Sequence, residues 1–402
     1  MNTDTLQPKT LNFRLQEIDF LRGLAILIVL FRHHWLTSFT FNFGWAGVDL
    51  FFVLSGFLVS GLLFSEYKKF GDLKPFRFLV RRGFKIYPMF YFSIFISLII
   101  VLLFANTSVY IWNIADLNYK GIIVKFIVEI FFLQSYFFFS SFWGHHWSLA
   151  VEEHFYFLLV ILLFILAKTK KLDRQKLFLF ISLFIFVGCL VLRIISNLYL
   201  PDNLNFFETH LRIDSLFAGV FISYFYNFNP TIVNNFYNRF RYFIWLAIIP
   251  LISFAPFIDP IRILNLVRPE EFLPVFLAKT IGLTLVYVSF GLLLIVFIEE
   301  KNINKVITKV LGKTVFSLIC KIGFYSYGIY LFHLWVATYG IGQNYLMEIE
   351  KAQVTTLPVV GSFLIYFFGS IFVGIVISNL IEIPFLKLRE KYVPKRKAQI
   401  AQ

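Results

Sequence analysis

The stretch FLRGLAILIVLFRHHWL, residues 20–36, combines an apolar run with charged and titratable side chains. The run is long enough to cross a lipid bilayer as a helix, which takes about 20 residues. An arginine nevertheless stands near its start and two histidines near its end. Because ionisable groups are costly inside a membrane, we treat them as candidate functional residues.

Apolar runs of similar length recur along the whole chain. The 402 residues are 59% hydrophobic, 20% aromatic and only 15% charged, below the roughly 25% charged residues typical of soluble domains. This composition predicts an all-α integral membrane protein of the cell (inner or cytoplasmic) membrane, in contact with lipids. We expect one domain over residues 1–402 with no attached soluble domain, and the run at 20–36 lacks the small-residue cleavage site of a signal peptide.

The positive charges predict how the chain crosses the membrane. Of the 37 Lys and Arg residues, 27 fall in loops on one side of the predicted helices, five in loops on the other side and five within the helices. The positive-inside rule then places both termini in the cytoplasm, including a basic tail at 386–402. The net charge of +14 is thereby explained by topology, and no nucleic acid is expected as a partner. We predict about ten spans (ten or eleven) near residues 18–37, 44–64, 86–105, 147–167, 177–197, 212–228, 242–258, 277–297, 324–340 and 357–383.

One further apolar run, IIVKFIVEIFFLQSYFFFS at 122–140, is not counted as a span. Counting it would move the basic loop that follows to the outside. The run also contains Lys125 and Glu129. We therefore predict a re-entrant or interfacial segment near 122–140 that packs on protein.

The first run carries a polar stripe. Arg22 and His33 are eleven residues apart, so they lie on nearly the same helix face about 16 Å from each other. Asp19 is one turn before Arg22 and is placed to neutralise it. The alternative is that Arg22 extends to the lipid headgroups and His33 lies at the opposite interface.

Two segments that follow contain further charged candidates. Asp49, in the second span, requires a partner, for which a His or Arg of a neighbouring helix is suited. Arg81, Arg82 and Lys85 gather at the mouth of the third span. Arg82 and Lys85 are one turn apart and suit a phosphate group, with anionic lipid headgroups as the alternative ligand.

A second group of candidates lies further along the chain. The segment FWGHHWSLAVEEHFYF, residues 142–157, contains His146 and Glu152, a combination suited to acid–base chemistry. Glutamates near a helix N-terminus also stabilise the helix dipole, so a structural role stays open. The histidines show no recognised ligand spacing and we expect no metal. Arg212, Asp214 and His333 complete the set of predicted substrate-binding or supporting residues, with Asp19, Asp49 and His146.

Taken in order, five motifs resemble the acyltransferase-3 family, membrane enzymes that acylate bacterial surface glycans and some small molecules. The motifs are IDFLRGLAILIVLFRH (18–33), GVDLFFVLSGFL (47–58), RRGFKIYP (81–88), WSLAVEEHFYF (147–157) and YSYGIYLFH (325–333). The resemblance implies that acetyl-CoA, or another short acyl-CoA, is the donor on the cytoplasmic side. It also implies that the acyl group passes through the protein to a hydroxyl of an envelope glycan or lipid-linked saccharide.

The family pattern and this chain differ at three positions. The family's Arg-x-x-Arg, linked to coenzyme A phosphates, corresponds here to Arg82 and Lys85, with Arg81 beside them. The family's Ser-x-Glu-x-x-Phe has Ala150 in place of the serine, and His154 stands where glutamine is usual. The charge of the donor site is thus retained, while one bidentate arginine is lost.

Acyl transfer from a thioester needs a base for the hydroxyl proton and positive charge near the developing oxyanion. We interpret His33 as the general base and Arg22 as a group that orients the donor; an acyl-histidine intermediate at His33 stays open. Glu152 either orients the histidine or supports the structure. The competing hypotheses are a transporter or exporter of an envelope precursor, and a structural partner in a glycan-assembly complex. A homo-oligomer stays open.

Overall fold

A computed structural model describes residues 16–104, 119–199, 206–254 and 269–396, and within these ranges the regular structure is helical, with no strand. This confirms the predicted all-α class. In chain order the helices are Gln16–Arg32 (α1), Ser38–Phe43 (α2), Ala46–Phe70 (α3), Pro75–Phe104 (α4), Tyr119–Ile130 (α5), Trp147–Lys168 (α6), Gln175–Tyr199 (α7), Thr209–Phe228 (α8), Pro230–Phe254 (α9), Pro269–Leu277 (α10), Leu283–Glu299 (α11), Ile303–Leu311 (α12), Lys313–Phe324 (α13), Ser326–Trp335 (α14), Gln343–Ala352 (α15), Leu357–Ile377 (α16) and Ile383–Tyr392 (α17).

Six helical stretches of the described chain are long and apolar enough to cross a membrane, and a seventh is added if α13 and α14, bent by 75°, form one span. The predicted count of about ten is not confirmed. The predicted spans at 18–37, 212–228 and 242–258 fall on α1, which has 17 residues, and on the more polar α8 and α9. The last residues of the predicted span 242–258, residues 255–258, lie outside the described residues. So do residue 105, Arg262, Arg268 and the tail beyond residue 396. The six stretches are Ser38–Phe70, Pro75–Ile100, Gly144–Lys168, Gln175–Tyr199, Phe272–Glu299 and Leu357–Tyr392.

The segment near 122–140 does not form one long helix. Helix α5 has 12 residues, a rise of about 18 Å, which is short of the ~30 Å hydrocarbon core. Turns follow it, and Phe132 has a left-handed backbone with φ of 55°. Lys125 Nζ donates a hydrogen bond to the Ser141 carbonyl at 2.9 Å, and Glu129 is fully buried. The segment therefore packs on protein, as predicted.

Helices α3 and α8 cross at two glycines. A Cβ atom added to Gly56 would lie 1.8 Å from the Leu216 carbonyl oxygen, and one added to Gly219 would lie 2.0 Å from the Val53 carbonyl oxygen. Only glycine permits backbones to approach this closely.

A second close crossing joins α1 to α13. A Cβ atom on Gly323 would lie 1.8 Å from the carbonyl oxygen of Asp19, and one on Gly23 would lie 2.2 Å from that of Ile319. Because the chain bends directly after α13, the start of α14 faces α1. This arrangement brings Ser326 to Arg22.

Candidate active site

Five of the side chains predicted from the sequence line two neighbouring cavities. The first, which we name the basic cavity, has a volume of about 100 Å³, and three of its lining residues are the cations Arg22, Arg82 and Lys85. Glu152 is its only acidic lining residue in the described part of the chain. An anionic ligand would therefore meet an excess of positive charge here.

Hydrogen bonds hold two of the three cations in position. Arg22 donates to Ser326 Oγ at 2.9 Å. Arg82 donates to the Tyr156 hydroxyl and stacks over that ring at 4.5 Å, with its Nη2 atom 3.9 Å from Glu152 Oε2. The pairing of Arg82 with a tyrosine ring and a carboxylate fixes the guanidinium at the cavity wall.

Glu152 belongs to the basic cavity. Its Oε2 atom accepts hydrogen bonds from Ser55 at 3.2 Å and from Tyr156. The structure thus brings Glu152 to Arg82, and not to the histidines of the second cavity. Of the two roles considered from the sequence, orientation of His33 is not supported, since the carboxylate that contacts the histidines is Glu129.

Arg81 has different partners from its neighbour Arg82. Its guanidinium lies 2.7 Å from Glu390 Oε1 and donates to the Val393 carbonyl, so it contacts the C-terminal part of the chain. It is not among the residues that line the basic cavity. Of the three predicted donor-binding residues, two therefore line the cavity and one lies outside it.

The second cavity, which we name the histidine cavity, has a volume of about 300 Å³. His33, His34 and His145 line it, together with aromatic side chains such as Trp45 and Phe142. Arg22 lies in α1, His33 follows the end of α1 directly, and the two residues open into different cavities. Their placement in different cavities agrees with the eleven-residue spacing between them.

The predicted residues His146 and His333 lie close to this cavity. The His33 and His333 ring centroids are 4.8 Å apart, and those of His333 and His145 are 4.9 Å apart. His146 packs on His145 with 4.6 Å between ring centroids, and its Nδ1 atom is 3.0 Å from Glu129 Oε2. All of these side chains except His33 are buried.

Val48 and Tyr330 line both cavities and so form part of the wall between them. The Tyr330 hydroxyl donates to the His145 carbonyl at 2.9 Å and is hydrogen-bonded to Ser148 Oγ at 2.5 Å. Ser148 lines the basic cavity, whereas His145 lines the histidine cavity. The two cavities are therefore separated by a thin, partly polar wall.

Two buried ion pairs lie behind this wall. Asp49 accepts from Arg212 Nη2 at 2.9 Å, which matches the expectation that an arginine of a neighbouring helix would pair with it. Arg193 lies 2.7 Å from Asp214. The Arg212 guanidinium also stacks on Phe206, a residue of the histidine cavity, at 4.5 Å. These pairs support the site without lining it, and Asp19 is likewise buried one turn before Arg22.

Sequence reasoning missed Glu129, Arg193, Ser148 and Tyr330 as site residues. The sequence did show Glu129 as an acidic residue in an apolar run, a signal that such a residue has a specific partner. In the described ranges, no group of three or more His, Cys, Asp or Glu side chains is arranged to hold a metal ion.

Comparison with known proteins agrees with this geometry. A family model described as an acyltransferase domain matches residues 15–379. The chain is 29% identical over 227 residues to the peptidoglycan O-acetyltransferase OatA of Listeria monocytogenes serovar 1/2a, a match that covers 53% of this chain and 34% of that protein. It is 28% identical over 217 residues to the O-acetyltransferase OatA of Staphylococcus aureus strain NCTC 8325, covering 52% and 34%.

A putative O-acetyltransferase of S. aureus strain COL is 26% identical over 219 residues, again covering 52% of this chain and 34% of the relative. The matches thus extend over about a third of the length of these curated relatives. No solved structure matches the chain. Because the family model covers nearly the whole described chain, this protein belongs to the acyltransferase-3 family.

Proposed function

We propose that this protein is an O-acetyltransferase of the cell membrane, with both termini in the cytoplasm. It transfers an acetyl or other short acyl group from cytoplasmic acyl-CoA to a hydroxyl of an envelope glycan or lipid-linked saccharide. The observation that carries the proposal is that a cationic cavity and a histidine-lined cavity adjoin at Val48 and Tyr330. The relatives named as O-acetyltransferases support the choice of acyl group and acceptor atom.

The basic cavity suits the donor. Arg82 and Lys85 are one turn apart at one wall of this cavity, where two cations can hold phosphate oxygens. Arg22, fixed by Ser326, stands on the helix that leads towards His33 and orients the thioester arm. In this division of roles, Arg82 and Lys85 provide affinity for the donor, and Arg22 positions its thioester arm.

The histidine cavity suits the acceptor. His33 is half-buried at its wall, with its ring in contact with His333. As general base it takes the proton of the acceptor hydroxyl while the oxygen attacks the thioester carbon and the carbon–sulfur bond breaks. The acyl group moves to the acceptor oxygen, and coenzyme A leaves as the thiolate, which is then protonated.

Inside-out membrane vesicles test this function. Vesicles with the protein and vesicles without it receive acetyl-CoA labelled in the acetyl group. The proposal predicts protein-dependent consumption of acetyl-CoA, with the label appearing in membrane or luminal saccharide. If neither acetyl-CoA nor other short acyl-CoAs are consumed above the empty vesicles, the proposal is wrong and transport of an envelope precursor becomes the better explanation.

A further inference from the structure

Four histidines extend from the histidine cavity into the protein in an unbroken row. We name this set, His33, His333, His145 and His146, the histidine row. Neighbouring ring centroids are 4.8, 4.9 and 4.6 Å apart along it, so adjacent rings are in contact. The row ends at Glu129, whose Oε2 atom is 3.0 Å from His146 Nδ1.

Fixed acceptors determine which ring nitrogen carries the hydrogen. His333 Nδ1 donates to the Tyr330 carbonyl at 2.6 Å, and His145 Nε2 donates to the Leu331 carbonyl at 3.3 Å. A carbonyl oxygen only accepts, so these nitrogens are protonated and the other nitrogen of each ring has a free lone pair. Within the described chain, three ring nitrogens of the row are buried without a hydrogen-bond partner: His333 Nε2, His145 Nδ1 and His146 Nε2. Outside the row, His34 Nδ1 and Trp335 Nε1 are buried in the same way.

Glu129 supplies a negative charge at the buried end of the row. Its carboxylate accepts from Gln134 Nε2 at 2.6 Å, from the Phe142 backbone N–H at 3.0 Å and from His146. Three donors around one fully buried carboxyl group are the environment of an ionised carboxylate. An imidazolium formed at His146 would face this charge in a low-dielectric interior.

We propose that the histidine row carries the acceptor's proton away from His33 and holds it at the His146–Glu129 pair until the carbon–sulfur bond breaks. This proposal rests on the proposed acyltransferase function. It assigns a proton-storage site to Glu129 and His146, and relay roles to His145 and His333. The three unpaired nitrogen atoms of the row supply the lone pairs that accept the relayed proton.

The proton balance of the step is simple. The acceptor O–H bond breaks and an N–H bond forms at His33. His33 returns to its neutral form when the next imidazole in the row accepts a proton, and the positive charge comes to rest beside Glu129. After the carbon–sulfur bond breaks, a proton returns along the row to His33 and neutralises the thiolate, so that ester and thiol are the only products.

The test compares the pH dependence of acetyl transfer in wild type, Glu129→Gln and His146→Gln, using the vesicle assay with labelled acetyl-CoA. Glu129→Gln retains the volume and an acceptor atom but removes the charge. In the described chain, the other charged groups near the row are Arg32 beside His33, Glu350 in the lining of the histidine cavity and Lys125 one turn before Glu129. None of them is changed in these variants. Glu153→Gln is the matched control, because Glu153 is also a buried glutamate but accepts its hydrogen bond from Tyr87, away from the row.

We expect Glu129→Gln and His146→Gln to lower transfer about tenfold at neutral pH. Without the carboxylate, protonation of the row becomes harder, so Glu129→Gln also moves the acid limb of the pH–rate profile to lower pH. Glu153→Gln should leave that limb in place. Melting temperatures in detergent identify variants that have lost their fold.

Three results overturn the proposal. One is a folded Glu129→Gln variant whose acid limb coincides with that of wild type. Another is a shift of the limb by Glu153→Gln of the same size as that by Glu129→Gln. Wild-type protein that consumes no acyl-CoA overturns the acyltransferase function itself, and the relay with it, so the two failures are distinguishable.

Discussion

Arg81 and Arg82 are adjacent in the sequence, but their side chains contact different parts of the protein. Arg82 lines the basic cavity, whereas Arg81 pairs with Glu390. We predict that Arg82→Gln raises the KM for acetyl-CoA about tenfold through loss of a charge-assisted hydrogen bond, and that Arg81→Gln changes it much less. Steady-state kinetics in vesicles measure both values. Equal effects would mean that the donor contacts both arginines.

Sequence predicted the residues of this site better than their partners. The separation of Arg22 from His33, and the position of Arg82 one turn from Lys85, can be predicted from residue spacing and helix geometry alone. Glu129 could not be assigned, because its contact with His146 depends on the turns that separate them, and helical periodicity does not describe turns. Glu152 was associated with histidine because they share a motif, yet its side chain points to Arg82.

At the scale of helices, the contact between α3 and α8 positions the Asp49–Arg212 pair behind the histidine cavity. We predict that Gly219→Ala lowers the free energy of unfolding by about 1–3 kcal/mol, because the added methyl group would meet the Val53 carbonyl oxygen. Gly188→Ala in α7, where no atom lies within 4 Å of the added Cβ, is the control and should not destabilise the protein. Melting temperatures in detergent measure both effects, and equal losses would contradict the close crossing.

Hydropathy predicted the helices well and the number of spans less well. Composition detects apolar length, so the long runs of α3, α6 and α7 were located correctly. A bend is set by packing, which is why the 75° break between α13 and α14 was not foreseen. The charge bias of the loops did indicate that 122–140 differs from its neighbours. Lys125 and Glu129 within the run indicated the same, because a buried Lys and Glu need protein partners.

At the scale of the whole molecule, Val48 lies in the wall between the basic cavity, proposed for the donor, and the histidine cavity, proposed for the acceptor. On the proposed function, a larger side chain there should obstruct the meeting of the two substrates while the cations of the basic cavity are retained. We predict that Val48→Phe lowers acetyl transfer about 100-fold while the affinity for acetyl-CoA changes little. Val187→Phe, at an exposed position of α7, is the control. Transfer by Val48→Phe at the wild-type rate would mean that the acyl group crosses elsewhere.

In the C-terminal part of the chain, Arg396 forms ion pairs with the end of α3 and with the loop before α4. We name these two contacts the clamp. Arg396 Nη1 lies 2.8 Å from Asp72 Oδ1 and 2.9 Å from Glu66 Oε1. The hydrogen bond from Arg396 holds the pKa of Asp72 below its usual value of 3.8. A lowered folded-state pKa stabilises the protein above that usual value, and the contribution is lost as the pH falls through the lowered pKa.

The clamp therefore predicts a pH-dependent difference between wild type and Arg396→Gln. The variant should have a slightly lower melting temperature at neutral pH, since exposed ion pairs contribute little. The difference should vanish on acidification to well below pH ~4. A difference that persists unchanged at such pH would show that Arg396 acts through its stacking on Phe70 instead.

The central claim is that His33 is the base for acyl transfer, and its adjacent histidine offers a direct comparison. His34 is hydrogen-bonded to Ser362 and is not part of the histidine row. The decisive measurement is the transfer of labelled acetyl from acetyl-CoA to saccharide in inside-out vesicles containing His33→Gln or His34→Gln, at equal amounts of folded protein. We predict a loss of about 100-fold or more for His33→Gln and a much smaller change for His34→Gln. Transfer by folded His33→Gln at the wild-type rate would contradict the claim.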